Sequence, residues 1–265
     1  MFSNITRLLN GLTTDPVGTL ITLLYMAVVI LLSLILHECA HGYAALRCGD
    51  PTARWMGRLT LDPRKHLDPY GTICMVILGV GWARPVPVNP RNFRHYRRDY
   101  ILVSLAGIAM NLALCLLSLC IAALLCRALW VPEFLSSVRE SSQGAALLDV
   151  YHYGIANAIY GGSYVGYDLM MQSTALAWVQ RLFLMLAQTN LGLAIFNLIP
   201  VPPLDGYRFL DEFVFHGRLS LNPQTMQIIH VVFLVICVSG ALSGFLTTLN
   251  AGAFSFFARL FAPIV

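Results

Sequence analysis

Charge is the scarcest commodity in this sequence. Asp, Glu, Lys and Arg make up 11% of its 265 residues, against 57% hydrophobic ones, where soluble domains carry about 25% charge. That shortage argues against an ordinary soluble fold and for a membrane protein. The seven cysteines contain no C-x-x-C pair, so neither a disulfide framework nor a cysteine-based zinc site is expected; they read as buried thiols. There is also no internal repeat, low-complexity tract or linker-like stretch, and a single domain over 1–265 is expected. The modest net charge of +4 is unevenly spread: ten of the 17 Lys and Arg residues lie between Arg47 and Arg98. They flank apolar runs and contain no recognised nucleic-acid-binding motif, which makes membrane headgroups, not nucleic acid, their expected partner.

Apolar runs fill the space that charge leaves. Val17–Leu36 carries no charged residue, and roughly 20 helical residues cross a bilayer core. Its length and the absence of a small-residue cleavage pattern suit a retained helix better than a signal peptide. Spanning helices are expected over Val17–Leu46, Ile101–Leu125, Ala175–Leu198 and Thr225–Leu249, within an all-α, polytopic bundle of about four to six spans. With the basic segment on the cytoplasmic face, the first helix enters the cytoplasm, the second leaves and the third returns. Tyr70–Trp82 is short and glycine-broken, suiting a re-entrant or interfacial segment. Asp149–Met171 reads as interfacial or as a poor further helix, and Phe254–Pro263 as a further interfacial helix. Between 55 and 89, "WMGRLTL" and "WARPVPVN" are strand-like, so a small membrane-associated β-hairpin is possible there; a basic loop on the headgroups explains them equally well.

The first helix ends in "HECAH". His37 and His41, at i and i+4, share a helix face and can reach one metal ion. Glu38 lies about 100° round the helix, beside that face. Zinc matches imidazole and carboxylate ligands and leaves a position open for water. An ionisable group at a helix centre costs about 2.5–3.5 kcal/mol on insertion scales, which chance does not explain. A third ligand is needed. Asp205, in "FNLIPVPPLDGYRF" after the third helix, is expected on the same membrane face; read alone, it is equally an aspartate in a turn. Asn111, in "SLAGIAMNLAL", could hydrogen-bond a substrate carbonyl or developing oxyanion, or another helix. His66, His95, His152, His216 and His230 lack partners at ligand spacing; most are expected to face solvent or headgroups, with His230 making an interhelical bond. Asp168 reads as a loop residue, and Arg181 as one that snorkels.

Together these residues resemble the site-2 protease family of intramembrane zinc metalloproteases. His37, Glu38 and His41 match its H-E-x-x-H motif, and Asn197, Pro200, Pro203, Leu204, Asp205 and Gly206 its N-x-x-P-x-x-P-L-D-G motif. The resemblance implies His37, His41 and Asp205 as zinc ligands, Glu38 as general base, and a transmembrane protein or peptide as substrate. It covers roughly residues 20–215. Asn111 falls where the family has an asparagine after an A-G-P-like element, although Ile108 stands where the proline would be. Gly57–Thr72 and Gly81–Arg94 look like the compact bacterial branch that lacks a PDZ domain, which implies a membrane-associated β-hairpin beside the active site. The expected location is a bacterial cell membrane, multi-pass, and the basic segment puts the site near the cytoplasmic side. Two rival readings use the same ligands: an intramembrane metal or proton transporter, and an inactive homologue that only binds substrates. The scarcity of further ionisable residues in the second and last helices weighs against transport.

Overall fold

A computed structural model describes residues 11–14, 16–69, 71, 83–133, 135–136, 172–219 and 221–264. Tyr70–Trp82 (apart from residue 71), Asp149–Met171, His152 and Asp168 therefore lie outside the described residues. The principal elements in chain order are α1 (Pro16–Cys48), α2 (Thr52–Trp55), α3 (Tyr96–Leu129), α4 (Thr174–Asn197), α5 (Asp205–Phe213), α6 (Pro223–Ser239) and α7 (Ser243–Phe261). Three of them, α1, α3 and α4, are long and apolar enough to cross a membrane; the pair α6–α7 makes a fourth if it counts as one broken span. This is an all-α membrane protein.

Local chemistry explains where the elements stop. Pro16, whose fixed φ suits a first turn, opens α1. Gly49 closes it at φ 109°: Asp50 N–H donates to Ala45 O (2.9 Å) and Gly49 N–H to Leu46 O (3.2 Å), the paired bonds of a Schellman ending. The fourth expected span, Thr225–Leu249, is not one helix. α6 is capped by Gly240 at φ 80°, and α7 leaves the break at 77° to it. A residue in the left-handed region cannot continue a right-handed helix, and glycine adopts it without a Cβ penalty. Phe254, where a separate interfacial helix was expected, lies inside α7.

The strand-like stretches do not form a ladder among the described residues, where one isolated antiparallel bridge, Leu67–Ala83, stands outside any strand. Trp55 belongs to α2. Pro85 and Pro87 have no N–H to give a ladder, and the Arg84 and Pro85 carbonyls are taken by the Arg58 guanidinium at 2.8 and 3.2 Å. Arg84–Asn89 belongs to no helix or strand.

Contacts group the chain into two compact units. One contains Leu31–Leu112 and Gly192–Thr247; its small core of Ala45, Cys48 and Val103 is joined by Val88 and Phe93. The other contains Ala113–Leu191 with Arg7–Ile30 and Thr248–Val265. There the buried Gln180 amide donates to Ala122 O (3.0 Å) and Cys126 Sγ (2.9 Å), satisfying a polar group inside an apolar bundle. Arg181 is buried and sits over the Tyr25 ring, 5.1 Å from its centroid. Its charge is held by an aromatic face, not released to the interface as snorkelling would require.

Candidate metal centre

All the residues of this centre belong to the first unit. α1 carries His37 and His41 one turn apart, both buried. Their Nε2 atoms lie 3.1 Å from each other. Asp205 Oδ2 lies 3.0 Å from His41 Nε2 and 3.2 Å from His37 Nε2. Three donor atoms separated by 164 residues of chain thus form a near-equilateral triangle. Ligand atoms about 2.0–2.1 Å from a tetrahedral zinc lie about 3.3 Å apart, so the triangle has the size such an ion needs. Two nitrogens and a carboxylate oxygen are also its preferred donors.

Each donor is aimed by its own support. His41 Nδ1 lies 2.7 Å from Val103 O on α3; an Nδ1–H donating there leaves the Nε2 lone pair for a metal. α3 comes close enough because residue 107 is glycine: a Cβ there would overlap both imidazole rings and stand 2.6 Å from His37 Nε2. Asp205 opens α5 instead of sitting in an isolated turn. Gly206 beside it lets the preceding loop fold back tightly, since a Cβ would stand 2.8 Å from Ile199 O. Burial pushes the Asp205 carboxyl up, but hydrogen bonding to His37 and His41 outweighs it and holds the group well below the usual carboxylate range. Arg208, half exposed and 3.9 Å away, adds little.

Glu38 is half-buried and its Oε2 accepts from the main-chain N–H of Val86 at 2.7 Å. Asn111 is fully buried, and neither amide atom has a hydrogen-bond partner among the described residues. It lies one turn beyond Gly107 on α3 and therefore on the same face. The alternative reading, an interhelical bond, is not met among the described residues. Asn197, by contrast, donates to Leu193 O within its own helix at 3.0 Å. His66 is buried and bonded to Thr60 O (2.8 Å), not facing solvent; His95 and His216 are exposed. Sequence reasoning assigned no site role to Val103 O, Val86 N–H or Gly107. Main-chain groups leave no sequence signal, and Gly107 reads only as a place where some helix comes close.

The model of peptidase family M50 matches residues 25–240. The chain belongs to this family. This is the family of the site-2 proteases. YwhC of Bacillus subtilis is 35% identical over 245 residues, covering 91% of this chain and 94% of YwhC. Rip2 of Mycolicibacterium smegmatis is 30% identical over 202 residues, 74% of this chain and 57% of Rip2. Rip2 of Mycobacterium tuberculosis H37Rv is 29% identical over 220 residues, 81% and 66% of the two chains. All three carry the name zinc metalloprotease as a provisional assignment. No solved structure matches the chain. The M50 protein is accordingly a membrane-embedded zinc metalloprotease, and membership decides for hydrolysis over ion transport.

Proposed function

We propose that the M50 protein hydrolyses a peptide bond within or next to a transmembrane segment of another membrane protein. In this reading His37, His41 and Asp205 hold the zinc and Glu38 is the general base. The observation that carries it is the 3.0–3.2 Å triangle of donor atoms, two of them on a helix apolar enough to cross a membrane.

Zinc, when bound, would supply a Lewis acid that polarises a carbonyl and lowers the pKa of water to about 7. Glu38 takes the proton of the attacking water and returns it to the leaving amine nitrogen, giving a carboxylate and an amine. The Asn111 amide N–H donates to the scissile carbonyl oxygen as charge builds there, which gives its unpartnered amide a use. A substrate helix satisfies its own backbone groups and must unwind before attack. The proline-containing Arg84–Asn89 run, outside any helix or strand, offers it an edge: Val88 makes no main-chain hydrogen bond among the described residues. By the distribution of Lys and Arg, the Arg47–Arg98 segment faces the cytoplasm of a bacterial cell and the centre lies near that side.

Purified wild type and Glu38→Gln, compared for zinc content and for cleavage of a panel of transmembrane peptides, test the assignment. Gln keeps the size of Glu and removes the base, so zinc stays near one per chain while cleavage falls by on the order of 10²–10⁴. Unchanged cleavage rejects the role of Glu38; zinc-free wild type rejects the metal centre.

A further inference from the structure

We infer that the main-chain N–H of Val86 is the group that positions Glu38 for catalysis, an inference that rests on the proposed role of Glu38 as base. A carboxylate on a helix has freedom about its side-chain torsions, and a general base works only when one oxygen is fixed towards the proton it takes. Glu38 Oε2 is tied to Val86 N–H at 2.7 Å, which leaves Oε1 for the water.

The donor is fixed on both sides. Pro85 and Pro87 flank it and have no N–H, so Val86 carries the sole main-chain donor of this tripeptide and sits between two residues of locked φ. Upstream, the buried Arg58 guanidinium grips the Arg84 and Pro85 carbonyls, and Arg84 N–H donates to His66 O at 2.8 Å. Downstream, Asp50, fully buried, accepts from Asn89 N–H at 2.7 Å and from Asn92 Nδ2 at 2.8 Å. The Val86 side chain is itself buried against α1, where Gly42 makes room: a Cβ there would stand 2.9 Å from Val86 Cγ1. A plug that substrate must displace needs a segment held loosely. This one is anchored before, at and after the contact, which suits a fixed positioning group.

Replacing Val86 by its α-hydroxy acid exchanges the N–H for an ester oxygen and keeps the isopropyl group. The expected result is a roughly ten- to hundredfold lower kcat, a KM within about twofold, and unchanged zinc content. A kcat within twofold of wild type overturns the inference. So does loss of zinc, which would make the contact structural, or a loss of activity carried by KM, which would make it part of substrate binding. Hydrogen exchange of the Val86 amide, read in protein labelled with [¹³C]proline and [¹⁵N]valine, judges the contact without turnover. The amide is expected to exchange at least tenfold faster in Glu38→Ala; an unaltered rate overturns the inference. Should wild type fail to cleave any peptide, the protease reading falls, while the exchange measurement still decides whether the two groups meet.

Discussion

A missing Cβ decides how tightly the metal centre closes. At Gly107 that atom would overlap the rings of both His37 and His41, and forcing extra volume into a packed site costs about 1–3 kcal/mol. Gly107→Ala is therefore expected to push one imidazole out of the triangle and to weaken zinc binding by roughly tenfold or more. Competition with a chromogenic chelator reads this directly, and an unchanged affinity would mean that α3 can retreat without disturbing the donors. The sequence was legible here in proportion to how local the chemistry is. His37, Glu38 and His41 follow from helical spacing alone. Asp205 became readable only with its motif, because 164 residues separate it from His41. What Gly107 faces depends on which helix packs on which, and no spacing along α3 records that. Asn111 was readable as a polar group in an apolar helix, yet whether it bonds another helix or stands unpartnered could not be read.

Among the elements, the connection from α1 to α3 shows how a stretch without strands is held in one shape. Asp50, directly after the Schellman ending of α1, accepts from Thr52 N–H (3.1 Å) and the Thr52 hydroxyl as well as from Asn89 and Asn92. Burial pushes its carboxyl up, but these hydrogen bonds outweigh it and hold the carboxyl below the usual range. A depressed folded-state pKa stabilises the fold above the ordinary aspartate value of about 3.9 and loses that contribution as pH falls through the lower folded value. Asp50→Ala, which strands several buried donors, is expected to destabilise the protein by roughly 3 kcal/mol at neutral pH. The gap between wild type and variant should narrow below about pH 4. Thermal unfolding in detergent across pH checks both parts, and a gap that stays constant into acid would show that the carboxylate is not the active acceptor. The alternating pattern of Trp55–Leu61 and Trp82–Asn89 suggested a hairpin because period-two patterning is the usual mark of strands. Side chains claim the groups that strands would have used: Arg58 takes two carbonyls and Glu38 takes the Val86 amide. The end of α1 fell at Cys48, two residues past the expected Leu46; Gly240 sits in an apolar run that looked continuous.

At the scale of the whole chain, the long helices follow from composition, but their direction follows only from where the positive charges lie. α3 carries exposed arginines near its two ends, Arg98 and Arg127, 29 residues and roughly 44 Å apart at 1.5 Å per residue. That exceeds the roughly 30 Å hydrocarbon core, so an α3 that spans the membrane puts its two ends at opposite aqueous faces. The positive-inside tendency counts charges close to the membrane; in the proposed topology the α1–α3 connection, with Arg91 and Arg94, and the start of α3, with Arg97 and Arg98, face the cytoplasm. Single cysteines at Arg91 and Arg127 in a cysteine-free background decide the matter, because both native side chains are exposed. In intact bacterial cells an impermeant thiol reagent should label Arg127→Cys and leave Arg91→Cys untouched; in inverted membrane vesicles the pattern should reverse. Zinc-dependent cleavage in each variant would show that the centre survives the substitutions. Labelling of Arg91→Cys from outside would turn the chain over: the metal centre, tied to this connection through Glu38 and Val86, would then meet its substrates from the opposite face. Labelling of both positions from one face would instead deny that α3 crosses the membrane, and with it the argument that the substrate is a membrane-spanning segment.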